Sequence, residues 1–253
     1  MEKIYEAITE ILRKGGCASL ATVVSKKGST PARVGFKMIV LSNGDIIGTV
    51  GGGSIESDVR DMAMNVMKSR TPFLASFNLN DENSICGGAM EVFIEPIAPF
   101  EKLFIFGAGH VGQVLCKMSV MVGFDVIIID DREEYANNER MQGANQIVVS
   151  DFEKSFQQLE IDDSSFVVIM TRNHAFDEVV LGLACQTKAR YIGMIGSKKK
   201  VKGVFDNLRQ KGISEEKLSV VHSPIGLDIG SETPAEIAVS ILAEMIQIRH
   251  GTL

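Results

Sequence analysis

Residues 103–112 read LFIFGAGHVG, and this stretch decides the fold of the second half of the chain. Leu103–Phe106 is an apolar run that predicts a buried strand, and a helical segment starts at His110. Glycines at this spacing between strand and helix are typical of a Rossmann turn. Gly107 allows the tight turn, Gly109 lets a pyrophosphate approach the backbone, and Gly112 packs the helix on the strand. We therefore predict a phosphate seat at the start of this helix, with His110 beside it.

Two acidic residues follow the next apolar run, Phe124–Ile129. An acid at the end of the second strand of such a unit accepts hydrogen bonds from ribose hydroxyls, so Asp130 and Asp131 are candidate cofactor-binding residues. An acid at this place favours NAD or a simple nucleotide over NADP, although the adjacent Arg132 weakens that preference. The alternative is that the glycines only close a tight turn and bind nothing.

Short apolar runs and helical segments alternate from Lys102 to the end of the chain. The runs read LFIF, VIIID, IVVS, FVVIM, RYIGMI and LSVVH. Continuous apolar strands separated by helices predict a parallel sheet covered on both faces, which is a Rossmann-type α/β domain. The last helix is marked by Thr233 as N-cap, Pro234 in the first helical position and Glu236 in the third, the pattern of a capping box.

Polar residues follow the fourth and fifth apolar runs, where strand ends face the ligand crevice of an open α/β sheet. The candidate cofactor-binding residues here are Thr171, Arg172, His174, Gly196, Ser197 and Lys198. The run Lys198–Lys200 lies in the first turn of a helix, where positive charge opposes the helix dipole unless an anion is bound nearby. The alternatives are that Asn173 or His174 caps the following helix and that the lysines form a solvated basic turn.

The first part of the chain follows a different pattern, which predicts a smaller α+β domain. Asn43-Gly44 between two apolar runs predicts a hairpin with a type I′ turn. Gly51, Gly52 and Gly53 then lead into a helix and form either an anion-binding nest or a flexible turn. The other predicted elements are helices over residues 3–14 and 55–68, strands over residues 17–24, 72–79 and 90–97, and a loop at residues 28–31.

The boundary between the two patterns lies at Pro96 and Pro99, because two prolines in four residues interrupt regular structure. The predicted domains are residues 1–98, with the α+β pattern, and residues 99–253, with the Rossmann-like pattern. A chain of 253 residues favours two domains.

Composition argues against several classes of protein. The net charge is −6 and no long Lys/Arg block occurs, so nucleic-acid binding is not expected. Cys17, Cys86, Cys116 and Cys185 are widely spaced, which argues against a disulfide framework or a structural zinc site and suits a reducing cytoplasm. The N-terminus lacks the apolar core of a signal peptide, and no apolar run reaches the roughly 18 residues of a membrane span. We therefore expect a cytoplasmic protein.

Cys86 lies in a predicted loop with little side-chain shielding, because Gly87 and Gly88 follow it. A thiolate is a nucleophile and a ligand for soft metals. A lone cysteine is nevertheless more often inert. Arg33 and Lys37 add positive charge after the loop at residues 28–31, and surface charge is the default interpretation of both.

Seven strings together resemble the XdhC/CoxI family, in family order and over nearly the whole chain. They are GSTP at 28–31, GTVGGG at 48–53, CGG at 86–88, EVFIEP at 91–96, FGAGHVG at 106–112, YIGMIGS at 191–197 and PIGLDIG at 224–230. Each string alone is unspecific, and the set is highly specific. One departure is Ala32, which stands where the family pattern has an arginine directly after the proline, and it leaves the role of Arg33 open.

The resemblance implies an accessory factor for xanthine dehydrogenase and related molybdenum hydroxylases, a cofactor carrier rather than a catalyst. Such a factor binds molybdenum cofactor, supports its sulfuration and hands it to the apo-enzyme. A cysteine desulfurase and a second copy of the chain, forming a homodimer, are implied as further partners. By the same resemblance, Cys86 is expected to contact the cofactor and its molybdenum. The phosphate of molybdopterin suits glycine-rich nests, and the molybdenum centre suits a soft sulfur neighbour.

Two other functions are compatible with these residues. One is an NAD(P)-dependent oxidoreductase acting on a small molecule, and the other is a nucleotide-sensing regulatory protein without chemistry. An oxidoreductase requires a proton donor that faces the nicotinamide. His110 lies in the glycine turn and His250 is almost terminal, so His174 and His222 are the candidates for that role.

Overall fold

The computed structural model describes residues 2–78, 88–98 and 100–251. Cys86 and Gly87, which carry one of the sequence predictions, lie outside the described residues. The chain divides into two compact units, residues 1–99 and residues 100–253. Among the described helices, none combines the length and the apolar character that crossing a bilayer requires.

The first unit is built on an antiparallel sheet of five strands, as the predicted α+β pattern requires. Their order in the sheet is β3-β2-β1-β5-β4, and every neighbouring pair is antiparallel. The elements are α1 (Glu2–Arg13), β1 (Ala18–Gly28), β2 (Lys37–Leu41), β3 (Ile46–Gly48), α2 (Ser54–Ser69), β4 (Phe73–Asn78) and β5 (Gly88–Ile97).

The helices α1 and α2 cover opposite faces of this sheet. Apolar residues of α2 recur every three or four positions, and Val59, Ala63 and Val66 are buried against Val92 and Ile94 of β5. The helix α1 packs on a second, smaller cluster around Ile4. The strand β1 continues past the predicted end at Val24, because its last residues pair with the first residues of β5.

The predicted hairpin between β2 and β3 is confirmed, but its turn is not type I′. Leu41 N–H donates to Asp45 O and Gly44 N–H donates to Leu41 O, which leaves a loop of Ser42, Asn43 and Gly44. A type I′ turn needs positive φ at both central residues, whereas in this loop only Gly44 has one, at 84°. Asn43 keeps a negative φ, and its side-chain oxygen accepts a hydrogen bond from the Asp45 amide.

The second unit is a parallel sheet of six strands with helices on both faces, which confirms the predicted Rossmann-type class. The strand order is β11-β10-β9-β6-β7-β8, with all neighbours parallel. The strands are β6 (Lys102–Phe106), β7 (Asp125–Asp130), β8 (Gln146–Val149), β9 (Phe166–Ile169), β10 (Tyr191–Met194) and β11 (Val221–His222). The helices are α3 (His110–Met121), α4 (Phe152–Ser155), α5 (His174–Ala184), α6 (Lys198–Gln210), α7 (Glu215–Ser219) and α8 (Pro234–Arg249).

Alternate residues of the central strands belong to two separate hydrophobic cores, one on each face of the sheet. Leu103 and Ile105 of β6 belong to the core under α3 and α8, while Phe104 and Phe106 belong to the core under α5 and α6. This division explains why the strands read as continuous apolar runs. The chain adds β7 and β8 on one side of β6 and then β9, β10 and β11 on the other side, so the strand order reverses at β6. Ligands bind at this switch point in folds of this class.

The end of the unit differs from the prediction in one element. The run LSVVH predicts a strand, but Leu218 lies in α7 and is fully buried there, so only Val221 and His222 extend the sheet. The last helix, α8, has the predicted capping box: Thr233 Oγ1 accepts from the Glu236 amide, and the Glu236 carboxylate accepts from the Thr233 amide.

Candidate functional site

The glycine turn after β6 has three glycines in three different environments. Gly107 has φ 123°, and a Cβ atom there would lie 2.2 Å from Met170 O. A Cβ atom at Gly112 would lie 2.1 Å from Gly107 O, whereas a Cβ atom at Gly109 would meet nothing within 4 Å. Gly107 therefore permits the turn, Gly112 permits the close approach of α3, and Gly109 faces open space, where a ligand can approach the backbone.

The N-terminus of α3 has no side-chain cap. Gly109 is the N-cap residue and, because it has no side chain, makes no capping hydrogen bond to the first amides of the helix; no other described residue is shown to accept from them. His110 is exposed as the first residue of the helix. Uncapped amides at a helix start favour an anion through their N–H groups and the helix dipole.

Asp130, at the end of β7, is fully buried and holds the glycine turn. Its Oδ2 accepts from the Ala108 amide at 2.8 Å, and its carboxylate also binds the backbone and guanidinium of Arg132. Burial alone would raise the pKa of Asp130, but the hydrogen bonds from Arg132 and Ala108 outweigh it and hold the pKa below the ordinary value. Both carboxylate oxygens of Asp130 therefore accept hydrogen bonds from the protein. In this arrangement neither oxygen is left over to accept from a ribose hydroxyl, which is the role predicted for Asp130.

Asp131, the next residue, is paired with Arg172, which follows β9. Arg172 Nη2 lies 2.7 Å from Asp131 Oδ2, and the guanidinium also lies over the ring of Phe176. The other oxygen, Asp131 Oδ1, is buried without a hydrogen bond, and Arg132 Nε is 3.8 Å from it. The sequence prediction named both residues, and the structure brings them together beside the glycine turn.

Thr171 is tied to a buried ion pair that sequence analysis missed. Asp177 Oδ1 accepts from the amide and hydroxyl of Thr171, and Asp177 Oδ2 lies 2.6 Å from Lys200 Nζ. Asp177 is fully buried, and Lys200 also donates to Ile195 O. The pair locks the carboxyl end of β9 to that of β10. The only signal in the sequence is an acid in the first turn of a helix, which is common.

The first turn of α6 therefore carries one neutralised lysine and two exposed ones. Lys198 and Lys199 have no ion pair within the described part of the chain. Ser197 caps the helix by accepting from the Lys200 amide, and Asn173 caps α5 in the same way. A cleft of about 480 Å³ lies between α5 and α6, and its lining includes His174, Ser197 and Lys199. Gly196 precedes the cleft, and a Cβ atom there would lie 2.8 Å from Lys200 Cδ.

His222, the other candidate proton donor, is held in place by Glu244. Its Nδ1 lies 3.2 Å from Glu244 Oε1, and Glu244 Oε2 accepts from the Tyr191 hydroxyl and the Gly226 amide. Burial would raise the pKa of Glu244, but the hydrogen bonds from His222, Tyr191 and Gly226 lower it. This arrangement fixes the imidazole in one orientation against the sheet.

In the first unit, glycine-rich loops that are far apart in sequence lie side by side. A Cβ atom at Gly88 would be 2.6 Å from both Lys27 O and Ser29 O, so the start of β5 packs directly on the loop after β1. A Cβ atom at Gly51 would be 3.2 Å from Ala32, so the glycine run before α2 lies against the same loop. Gly88 and Gly51, which belong to two of the strings that carry the family resemblance, therefore both pack on residues 27–32, the stretch that contains a third string, GSTP at 28–31.

The glycine run already holds an anion of the protein itself. Glu56 Oε1 accepts from the amides of Val50 and Gly52, and it also binds the Thr49 hydroxyl. The nest interpretation is thus right about the local chemistry, but the occupant is a carboxylate that sequence analysis missed. Gly52 and Gly53 have open space where a side chain would be, and α2 starts without a side-chain cap.

Two cations that follow the loop at residues 28–31 differ in their contacts. Arg33 is exposed and makes no ion pair within the described residues. Lys37, the second cation, donates to Thr22 Oγ1. Of the described cysteines, Cys116 and Cys185 are buried in the second unit and Cys17 is half-buried in the first. No cluster of three potential metal ligands occurs among residues 2–78, 88–98 and 100–251.

Comparison with known proteins identifies relatives across both units. The family model described as XdhC Rossmann domain matches residues 103–245, and the model described as XdhC and CoxI family matches residues 11–78. A crystal structure of a xanthine dehydrogenase (BH1974) from Bacillus halodurans has a TM-score of 0.56 at 22% identity, covering 98% of this chain and 96% of that chain. At that identity, the likeness concerns the fold alone.

Three curated proteins are similar in sequence. Uncharacterized protein YqeB of Escherichia coli (strain K12) is 34% identical over 92% of this chain and 44% of its own length. A probable xanthine dehydrogenase subunit of Bacillus subtilis (strain 168) is 30% identical over 62% of this chain and 46% of its own length. Molybdenum cofactor insertion chaperone PaoD of Escherichia coli (strain K12) is 20% identical over 97% of this chain and 88% of its own length.

The chain spans less than half the length of the first two of these relatives. The match to the Rossmann-domain model alone nevertheless covers more than half of the chain, and the second model adds most of the first unit. The chain belongs to the XdhC and CoxI family.

Proposed function

We propose that this chain is an accessory factor that binds molybdenum cofactor and assists its sulfuration and its insertion into a molybdenum hydroxylase of the xanthine dehydrogenase type. The names of two relatives, a molybdenum cofactor insertion chaperone and a probable xanthine dehydrogenase subunit, support this assignment. The observation that carries it is the packing of two glycines on one loop of the first unit, where Gly88 lies against Ser29 and Gly51 lies against Ala32.

The described residues of these loops fit an anionic, sulfur-bearing group. Arg33 offers a cation that has no ion pair among the described residues, and Gly52 and Gly53 leave the backbone accessible. Cys86 stands two residues before Gly88 in the sequence and offers a soft sulfur ligand. The amides of Val50 and Gly52 contribute only if Glu56 is displaced from them.

When bound, the cofactor supplies a redox-active molybdenum centre for use by the client enzyme. Arg33 would pair with its phosphate, the open glycines would admit the pterin next to the backbone, and Cys86 would contact the metal. The partners in this proposal are the apo-hydroxylase, a cysteine desulfurase as sulfur donor and a second copy of the chain. The reducing cytoplasm is the compartment in which such thiol chemistry operates.

Cofactor content of the purified full chain tests the proposal. The protein is expressed in a host supplied with molybdate, and released pterin is oxidised and measured by fluorescence. We expect Cys86→Ser and Arg33→Gln each to lower the pterin content roughly tenfold or more. The matched control is Cys17→Ser, which removes the other cysteine of the first unit and should leave the content unchanged.

Absence of pterin from the wild-type chain, or equal loss in the Cys17→Ser control, contradicts the carrier proposal. Sulfuration is measured separately, as cyanide-labile sulfur on the bound cofactor after incubation with a cysteine desulfurase and cysteine. Sedimentation of the loaded protein measures whether the chain forms a homodimer.

A second candidate function, nucleotide binding by the second unit, is favoured by one observation. The amides at the start of α3 have no side-chain cap, and Gly109 faces open space. A nucleotide phosphate at this place would gain hydrogen bonds and a favourable dipole. Calorimetric titration with NAD⁺ tests binding, and Gly109→Val should abolish it while leaving the fold intact. Consumption of NADH with a carbonyl substrate would mark an oxidoreductase, and binding without turnover would mark a sensor.

A further inference from the structure

Asp131 and Arg172 bridge the second unit above the carboxyl end of β6. Asp131 follows β7 and Arg172 follows β9, and these strands lie on opposite sides of β6. Between them, Gly107 donates to Ile129 O on one side and is packed against Met170 O on the other. The pair, closed at 2.7 Å, therefore spans the glycine turn. A dinucleotide bound to an open α/β sheet crosses this place.

One acceptor of this pair is unused. Asp131 Oδ1 is buried and makes no hydrogen bond, although buried carboxylate oxygens nearly always accept one. Arg132 Nε is 3.8 Å away and is engaged by Asp130 instead. Because both oxygens of Asp130 are already taken, Asp131 is the acid at this strand end that has acceptor capacity for a ligand.

We propose that the Asp131–Arg172 pair is a latch that a ribonucleotide opens by exchanging partners. The phosphate of the ligand takes Arg172, and the 2′- and 3′-hydroxyls of its ribose donate to Asp131. Each group that loses its partner gains another: Arg172 gains an anion, and the partly buried carboxylate of Asp131 gains two hydrogen-bond donors. This inference rests on nucleotide binding, the second candidate function, and names the class of ligand for that site.

The exchange selects among ligands by their chemistry. Inorganic phosphate offers an anion to Arg172 but brings no pair of neutral hydroxyls to Asp131, and its negative charge repels that half-buried carboxylate. A 2′-phosphate, as in NADP⁺, removes one donor and places a second negative charge next to Asp131. A ribonucleotide with both hydroxyls free, such as NAD⁺, satisfies both groups.

Equilibrium titration of the full chain with NAD⁺, NADP⁺ and inorganic phosphate tests the latch. We expect the wild-type protein to bind NAD⁺ more tightly than NADP⁺ by roughly tenfold or more, and to bind phosphate only weakly. Asp131→Asn should gain affinity for NADP⁺ and for phosphate, because it frees Arg172 and removes the repulsion. A gain of binding is not produced by loss of structure. Arg172→Gln should widen the preference for NAD⁺, since it leaves Asp131 as an unpaired negative charge.

The matched control is Asp125→Asn, which changes an aspartate at the opposite end of β7 and should leave all three affinities unchanged. Binding with an NAD⁺/NADP⁺ ratio that neither Asp131→Asn nor Arg172→Gln changes overturns the latch and leaves nucleotide binding standing. Failure of the wild type and of every variant to bind any of the three probes overturns nucleotide binding itself, and the latch with it.

Discussion

The carboxylate of Asp130 and the amide of Ala108 are joined by a buried hydrogen bond of 2.8 Å, so the acid that ends β7 fixes the turn that ends β6. The backbone between Gly107 and Gly109 is thereby set before any ligand arrives. Asp130, which its position in the sequence predicts to bind a cofactor, therefore also holds the glycine turn in place.

The hydrogen bonds that Asp130 accepts, first from the Arg132 side chain and then from the Ala108 amide, predict a pH-dependent stability that Asp130→Asn removes. The pKa of Asp130 is lowered in the folded protein, so its contribution is complete above about pH 5 and is lost as the pH falls below about 4, through the folded pKa. We expect Asp130→Asn to cost about 1–3 kcal/mol at pH 7 and progressively less at acid pH. Urea unfolding of both proteins from pH 7 to pH 2.5 measures this difference, and a difference that stays constant across the range contradicts the assignment.

The glycines of the turn should respond differently to the same substitution. Gly107→Ala places Cβ 2.2 Å from Met170 O at a φ of 123°, so we expect a loss of about 3 kcal/mol or more in the free energy of unfolding. Gly109→Ala meets no atom within 4 Å and should change stability by less than about 0.5 kcal/mol. The control is Gly203→Ala in α6, which also meets nothing and should stabilise by up to about 1 kcal/mol. Equal effects at 107 and 109 would refute the assigned roles.

Lys199 and Lys200 of α6 should also differ in how much the same substitution changes stability. Lys200→Met strands the buried carboxylate of Asp177, and we expect a loss of about 3–5 kcal/mol. Lys199→Met, the matched control one position earlier, should stay within about 0.5 kcal/mol. Adding Asp177→Asn to Lys200→Met should recover part of the loss, because the uncompensated charge is gone. A double variant less stable than Lys200→Met would show that the ion pair is not the cause.

Two cysteines should be inert in the folded protein. Burial raises the pKa of both Cys116 and Cys185 to about 11, so almost no thiolate is present at pH 8. We expect iodoacetamide to label neither within hours under native conditions and to label both in denaturant, with sites assigned by mass spectrometry. Cys17, which is half-buried, serves as the internal comparison. Native labelling of Cys116 at the rate seen in denaturant would contradict the burial.

The elements that sequence analysis predicted correctly are those whose signals are local. The strand, turn and helix of residues 103–112 depend on an apolar run, on backbone angles available to glycine and on the start of a helical pattern, all within ten residues. The capping box at Thr233 and Glu236 is local for the same reason. The hairpin at Asn43-Gly44 was located correctly. Its loop length depends on how β2 and β3 pair, and the residues of the turn alone do not determine that register.

The contacts that define the candidate sites join residues distant in sequence, and these could not be predicted. Asp177 and Lys200 look like ordinary surface charges until the strands bring α5 and α6 together. The partner of Asp131 follows a strand that is not its neighbour. Glu56 is close in sequence to the glycine run whose amides it binds. An acid near the start of a helix after a glycine run could have indicated that the protein's own carboxylate occupies this nest.

The position of β6 in the sheet has a consequence for biosynthesis. The strand that carries the glycine turn leaves the ribosome shortly before β7, but β9, its other neighbour, begins only at Phe166. Until that strand is delivered, Gly107 lacks the Met170 backbone against which it packs. The nascent chain therefore contains the glycine turn long before the backbone that packs against it is synthesised, and fragments that end before β9 have the turn without that packing.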